Sequence, residues 1–162
     1  MKTLNYALII LLFLGLSSCK DDDGGGTTPI TPAVNLGFIS FNKDATVVTY
    51  SPASVQSRSS GSETVYNISS ASQDLTTGFS ILFDDSQYQV GTQDLGDVFS
   101  GKAYATYTEG DFFNQKTYNS VSGTVTISEI NTQTNLVKGS FQFIGEEFSQ
   151  GDSINFTNGT FE

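Results

Sequence analysis

The sequence predicts an all-β domain: an antiparallel β-sandwich or closed β-barrel of about eight to nine strands, with no substantial helix. Three observations carry this. From Val34 to Glu162, short runs alternate apolar and polar residues, the period of two that belongs to strands with one buried face. Turn residues separate the runs at short spacing, as in many-stranded folds. No window of helical length keeps apolar residues at i, i+3, i+4 and i+7 without Gly, Ser or Thr interrupting it. The chain has 162 residues, 13 Phe, seven Tyr and no Trp, which fits one domain with an aromatic core plus extensions.

In chain order, the first element is an address. Lys2 precedes an apolar run from Ala7 to Leu16, which as a helix covers roughly 15 Å, half of a ~30 Å bilayer core. That is too short to span and suits the apolar region of a secretory signal. Leu16-Ser17-Ser18-Cys19 resembles the lipobox of bacterial lipoproteins. The resemblance implies that residues 1–18 are removed, that the Cys19 thiol carries a diacylglyceryl group, and that its new amino group is acylated by a chain such as palmitate. Two or three acyl chains anchor a protein stably where one does not. Cys19 is the sole cysteine, so the domain is expected to hold no disulfide and no cysteine nucleophile.

Residues 19–33 follow as a tether. Gly24 to Gly26, Pro29 and Pro32 give it a composition that buries little apolar surface. Lys20-Asp21-Asp22-Asp23 resembles the acidic export signal behind the lipid-bearing Cys of Bacteroidota surface lipoproteins. That implies an outer-membrane anchor with the domain facing outward. The alternative is a periplasmic-facing anchor in which the aspartates only keep the tether solvated.

The domain, residues 34–162, is read as strands at Leu36–Phe41, Thr46–Tyr50, Thr64–Ser69, Gly78–Phe83, Lys102–Thr108, Phe113–Tyr118, Ser120–Ser128, Leu136–Ile144 and Ser153–Phe161. Ser51 to Glu63, rich in Ser, is expected to be a mobile loop. The clearest strand is Val121 to Ile127, with odd positions inward and Ser122, Thr124 and Thr126 outward. Across a polar turn at Asn131–Asn135 its partner runs through Val137, Gly139, Phe141 and Phe143, again odd positions inward. Gly123 and Gly139 are expected to face each other or a Phe of another strand. Ser122-Gly123-Thr124, Gly139-Ser140-Phe141-Gln142-Phe143 and Thr157-Asn158-Gly159-Thr160-Phe161 resemble a shared pattern of uncharacterised Bacteroidota lipoproteins with a domain of unknown function. The likeness covers about the last 85 residues well and the first 50 of the domain poorly. It implies an all-β fold and an envelope location, and brings no catalytic or binding residues.

Chemistry is sparse. Lys and Arg number 7 against 17 acidic residues, so nucleic acid, bound through Lys and Arg, is not an expected partner. The absence of His removes the commonest general base and metal ligand. A Ser–Lys or Thr–Lys pair would draw on Lys43, Lys102, Lys116 or Lys138, and Lys138 is expected to face solvent. Paired carboxylates are the only catalytic material, with Glu146, Glu147, Asp84, Asp85, Glu109 and Asp111 available, all read as solvated turn residues. Asp84, Asp85, Asp94 and Asp97 offer oxygen ligands for calcium, though without an established loop spacing, so no metal is assigned. Tyr104, Tyr107 and Tyr118 are weighed as a sugar-stacking platform, but Tyr104 and Tyr107 differ in parity and core packing is the expected role. Asp152-Ser153-Ile154 resembles a Bacteroidota O-glycosylation acceptor, which implies a glycan on Ser153. Taken together, the expectation is a monomeric, non-enzymatic β-module on a lipidated tether. It would need no cofactor, and its partner would be a glycan or an envelope or host protein. The competing class is a polysaccharide hydrolase, or an accessory carbohydrate-binding subunit, relying on carboxylates.

Overall fold

The computed structural model describes residues 34–60, 63–111, 113–131 and 136–162; the expected signal segment, Cys19, the expected tether and most of the expected polar turn lie outside the described residues. It is all-β: β1 (Val34–Leu36), β2 (Ile39–Lys43), β3 (Thr46–Tyr50), β4 (Ala53–Ser60), β5 (Glu63–Ala71), β6 (Thr77–Asp84), β7 (Gly91–Leu95), β8 (Tyr104–Glu109), β9 (Lys116–Asn131), β10 (Leu136–Glu147) and β11 (Ser153–Phe161), with no helix among the described residues. The named strands pair antiparallel in the order β1-β4-β5-β6-β8-β9-β10-β11-β2-β3, with β7 added on β9.

Two strand breaks are bends, not reversals. β1 pairs with β4 and β2 with β3, so the four form one two-armed ribbon bent at Gly37–Phe38 and Ser51–Pro52. Ser51 Oγ donates to the Gly37 carbonyl at 2.8 Å across the bend. On one side of the ribbon β2 pairs with β11, and on the other β4 pairs with β5. The ribbon's two arms and the remaining strands therefore make an up-and-down ring of eight positions. β7 and β8 together fill one position: both run antiparallel to β9, β7 against Gly123–Ile127 and β8 against Lys116–Asn119. They are a single strand interrupted by the excursion 96–103.

The curl of the sheet follows from its ring contacts. Phe41 on β2 and Phe79 on β6 are five strand steps apart, about 24 Å in a flat sheet, yet their ring centroids lie 5.1 Å apart. Buried residues from β2 to β11 form one cluster. Phe143 stacks on Phe156 at 4.3 Å and Phe79 on Phe141 at 4.8 Å, so side chains fill the interior as in other small barrels. Outside, hydroxyls pair across strands, among them Ser40 with Thr49 and Ser80 with Thr106.

Four expectations need correction. Ser51–Glu63 is not a loop: β4 runs through most of it, with Ala53 and Val55 buried. Its short side chains hide the alternation, and pairing on both sides supplies what propensity does not. Phe113–Tyr118 and Ser120–Ser128 are not two strands but parts of β9, with Phe113 in the preceding turn. β9 buries Tyr118 and Ser120 at even positions and Val125 and Ile127 at odd ones, because a bulge at Val121 shifts its register with β10. Leu36–Phe41 is broken by the bend, and β7 was not anticipated.

Candidate functional site

At one end of the ring β2, β5, β8 and β10 finish and β3, β6, β9 and β11 begin. Lys43 closes β2 and Glu109 closes β8, on opposite walls of the eight-position ring, and their side chains form an ion pair across the mouth. Tyr107 Oη donates to Glu109 Oε2 at 3.1 Å, and Lys43 Nζ lies 5.2 Å from the centre of the Tyr107 ring. Burial, then the neighbouring Tyr50 and Glu109, push the Tyr107 phenol far above its ordinary pKa. Tyr50, at the end of β3, is also buried and raised, chiefly by burial. Its hydroxyl lies against Thr77 and Tyr107 but meets neither in hydrogen-bond geometry.

Beside this strap the ring has a wedge-shaped gap. β4 pairs with β5 from Ser54 opposite Ser69 onward, whereas β5 ends at Ala71 and β3, beyond the bend, pairs with β2 alone. Ser70 Oγ donates to the Pro52 carbonyl at 2.8 Å and closes the apex. Thr49, Tyr50, Ala71, Gln73 and Asp74 line the cleft that opens from there. The Asp74 carboxyl is held below its usual range, first by the Ser72 hydroxyl at 2.6 Å, then by the Thr76 N–H and hydroxyl at 3.1 and 2.9 Å. Next to it Leu75 is exposed and adopts φ 58°, a left-handed conformation that bulky L-residues rarely take. Val47, Phe113 and Phe148 are further exposed apolar side chains at this end.

The structure scatters the other anticipated residues. Asp84 accepts hydrogen bonds from Ser86 Oγ and the Gln87 N–H, Asp85 one from Tyr66 Oη, Asp94 pairs with Lys102 at 3.4 Å, and Asp97 accepts from the Phe99 N–H. These four carboxylates do not form one ligand set, and no group of three potential metal ligands occurs among the described residues. Glu146 is exposed and Glu147 buried, on opposite faces of β10; Glu147 accepts from Ser149 Oγ, and its Oε2 is buried without a partner. Asp111 accepts from the Phe113 and Asn114 N–H groups of its own turn. Lys116 pairs with Asp152 at 3.1 Å, Lys138 is partly exposed, and Ser153 opens β11 exposed. Tyr107 and Tyr118 are buried, so they form no exposed platform with the half-buried Tyr104; core packing, the expected role, holds for both.

The contacts of two residues escaped the sequence reading. Tyr88 stacks on Tyr66 at 4.0 Å, and burial followed by Tyr66 raises its phenol to about 12. Ser120, fully buried, bridges two backbone groups where β7 gives way to β8. Neither stands out in a chain rich in Tyr and Ser.

A family model described as a domain of unknown function, DUF6252, matches residues 40–162, from within β2 to the C-terminus. The chain belongs to the DUF6252 family. The DUF6252 match takes in the ring from β2 onward, so it reaches well beyond the last 85 residues that the sequence patterns covered. No curated protein and no solved structure matches the chain.

Proposed function

We propose that this DUF6252 protein is an outer-membrane lipoprotein, anchored by acyl chains on Cys19 and facing outward, whose barrel is a non-enzymatic binding module for a glycan or an envelope or host protein. The observation that carries the binding reading is the packed interior. A barrel whose described interior is packed by one aromatic-rich cluster leaves recognition to its ends and edges. Two of the carboxylates that a polysaccharide hydrolase could draw on are engaged separately, Glu109 by Lys43 and Tyr107 and Asp111 by its own turn. That supports binding over hydrolysis. The anchor and location rest on Leu16-Ser17-Ser18-Cys19 and the acidic Lys20–Asp23 run.

The test is proteolysis of intact native cells with a non-permeant protease, the domain being followed by immunoblot beside a periplasmic leakage control. Loss of the domain, together with release from the membrane fraction in a Cys19→Ser variant, is the expected result. A domain protected in intact cells and digested only after lysis would overturn the outward orientation. An unchanged membrane fraction for Cys19→Ser would overturn the anchor.

A further inference from the structure

Three strands keep one edge unpaired among the described residues: β1, β3 and β7. An open edge is a template for another strand, and proteins ordinarily guard it with charge, proline, a bulge or brevity. β1 has three residues and follows Pro32 and Ala33. β7 carries Asp94, paired with Lys102. β3, Thr46-Val47-Val48-Thr49-Tyr50, has five residues with β-branched side chains at four of them, and no charge and no proline. It pairs regularly with β2 over its whole length, without a bulge. Thr46, Val47 and Thr49 are exposed. β3 is the unguarded edge.

Its open side faces the wedge. A strand laid along β3 would fill the gap between β3 and the end of β5, occupying the place in the ring that β5 does not reach. One margin of that cleft carries an exposed carboxylate, Asp74 in the β5–β6 turn. Asp74 stays ionised below the usual carboxylate range through its three hydrogen bonds. It is in no ion pair with a cation among the described residues, while Lys43 is committed to Glu109. Val47 adds exposed apolar contact area on β3 itself.

We propose that the β3 edge is a docking site for an extended segment of a partner protein that carries Lys or Arg, added as a strand in the wedge with its basic side chain against Asp74. Main-chain hydrogen bonds would supply affinity, and the cleft floored by Tyr50 and walled by Ala71 and Asp74 would select the side chain. A second copy of this chain fits less well, because two strongly acidic molecules would meet along one short strand. The inference rests on the reading of the barrel as a binding module and makes that reading specific.

The test uses the full chain in mild detergent and three peptides of eight residues: alternating Lys and Val, alternating Glu and Val, and a Lys peptide of equal charge interrupted by prolines. Binding is read by calorimetry, and the amides of residues 46–50 by hydrogen exchange. Only the Lys/Val peptide is expected to bind, slowing exchange along β3. Asp74→Asn and, separately, Val47→Lys should each weaken it by about fivefold or more, as loss of one charge contact or gain of one repulsion implies. Asp85→Asn, away from the wedge, should leave it unchanged, and unaltered urea midpoints would show that the variants fold. Equal binding of the proline-interrupted peptide would reduce the effect to bulk charge and overturn the proposal. So would no binding, or concentration-dependent dimerisation abolished by Val47→Lys. Cell-surface proteolysis is indifferent to all of these outcomes, so failure here leaves the location and anchor standing.

Discussion

Gly139 on β10 lies directly opposite Phe161 on β11, and Phe141 directly opposite Gly159. Each phenylalanine ring lies over the glycine facing it, and the space for the ring exists because the glycine has no Cβ. A Cβ on Gly139 would come within 2.3 Å of Phe161 Cζ and of the Thr126 carbonyl oxygen; one on Gly159 would sit 2.5 Å from two carbons of the Phe141 ring. This reciprocal arrangement gives Gly139-Ser140-Phe141 and Gly159-Thr160-Phe161 a physical meaning that spacing alone did not supply. Gly139→Ala and Gly159→Ala are each expected to cost roughly 1–3 kcal/mol in urea unfolding through overpacking. Gly78→Ala, where the nearest atom to a new Cβ is 3.8 Å away, should stay within about 0.5 kcal/mol. Equal midpoints for all three variants would show that the rings move aside freely. The sequence marked Gly139 as a point of close approach; which ring approached it depended on register, which pairing sets.

The interruption between β7 and β8 poses a backbone problem at the next scale. Where a strand leaves its ladder, buried N–H and C=O groups lose partners and must find others. Ser120 of β9 provides them: its hydroxyl donates to the Gly96 carbonyl at 2.5 Å and accepts from the Ala105 N–H at 2.9 Å. One side chain thus joins the two ends of the broken strand, and the excursion 96–103 can leave the barrel without orphaning them. Ser120→Ala is expected to destabilise by roughly 2–4 kcal/mol, since two buried backbone groups lose their partner. Ser122→Ala, on the exposed face of the same strand, should change stability by less than about 0.5 kcal/mol. Similar urea midpoints for the two variants would assign Ser120 no more than a packing role. Strands with bulky alternation, such as β6, β10 and β11, were legible because Phe and Ile mark the inward face. β4 and β7 were not, because Ser, Gln, Thr and Gly dominate them and neighbours on the sheet hold them in place. The Lys43–Glu109 strap was equally illegible, because only closure of the ring brings residues 66 positions apart together.

For the whole molecule, titration is set by what the domain lacks. Residues 34–162 contain neither His nor Cys, so they hold no side-chain type that ordinarily titrates between about pH 5 and 9. At the alkaline end, Tyr50, Tyr66, Tyr88, Tyr104, Tyr107 and Tyr118 are all raised above their ordinary value, with burial the first cause in each. The fold keeps these phenols neutral, whereas an unfolded chain ionises them near pH ~10. Their contribution to stability is therefore fully present below pH ~10 and is lost as pH rises from there through the folded values, about 12 for Tyr88. Each new tyrosinate would also add to a net charge already at −10, in a barrel whose interior is aromatic. Urea midpoints should accordingly stay level from about pH 6 to 9 and fall steeply above about pH 10, with tyrosinate absorbance appearing together with unfolding. Tyr88→Phe should flatten part of that alkaline fall. If absorbance instead rose along a free-phenol curve near pH ~10 while the sheet persisted, the tyrosines would be reachable by water, and the barrel could not be the filled one that sends recognition to its edges.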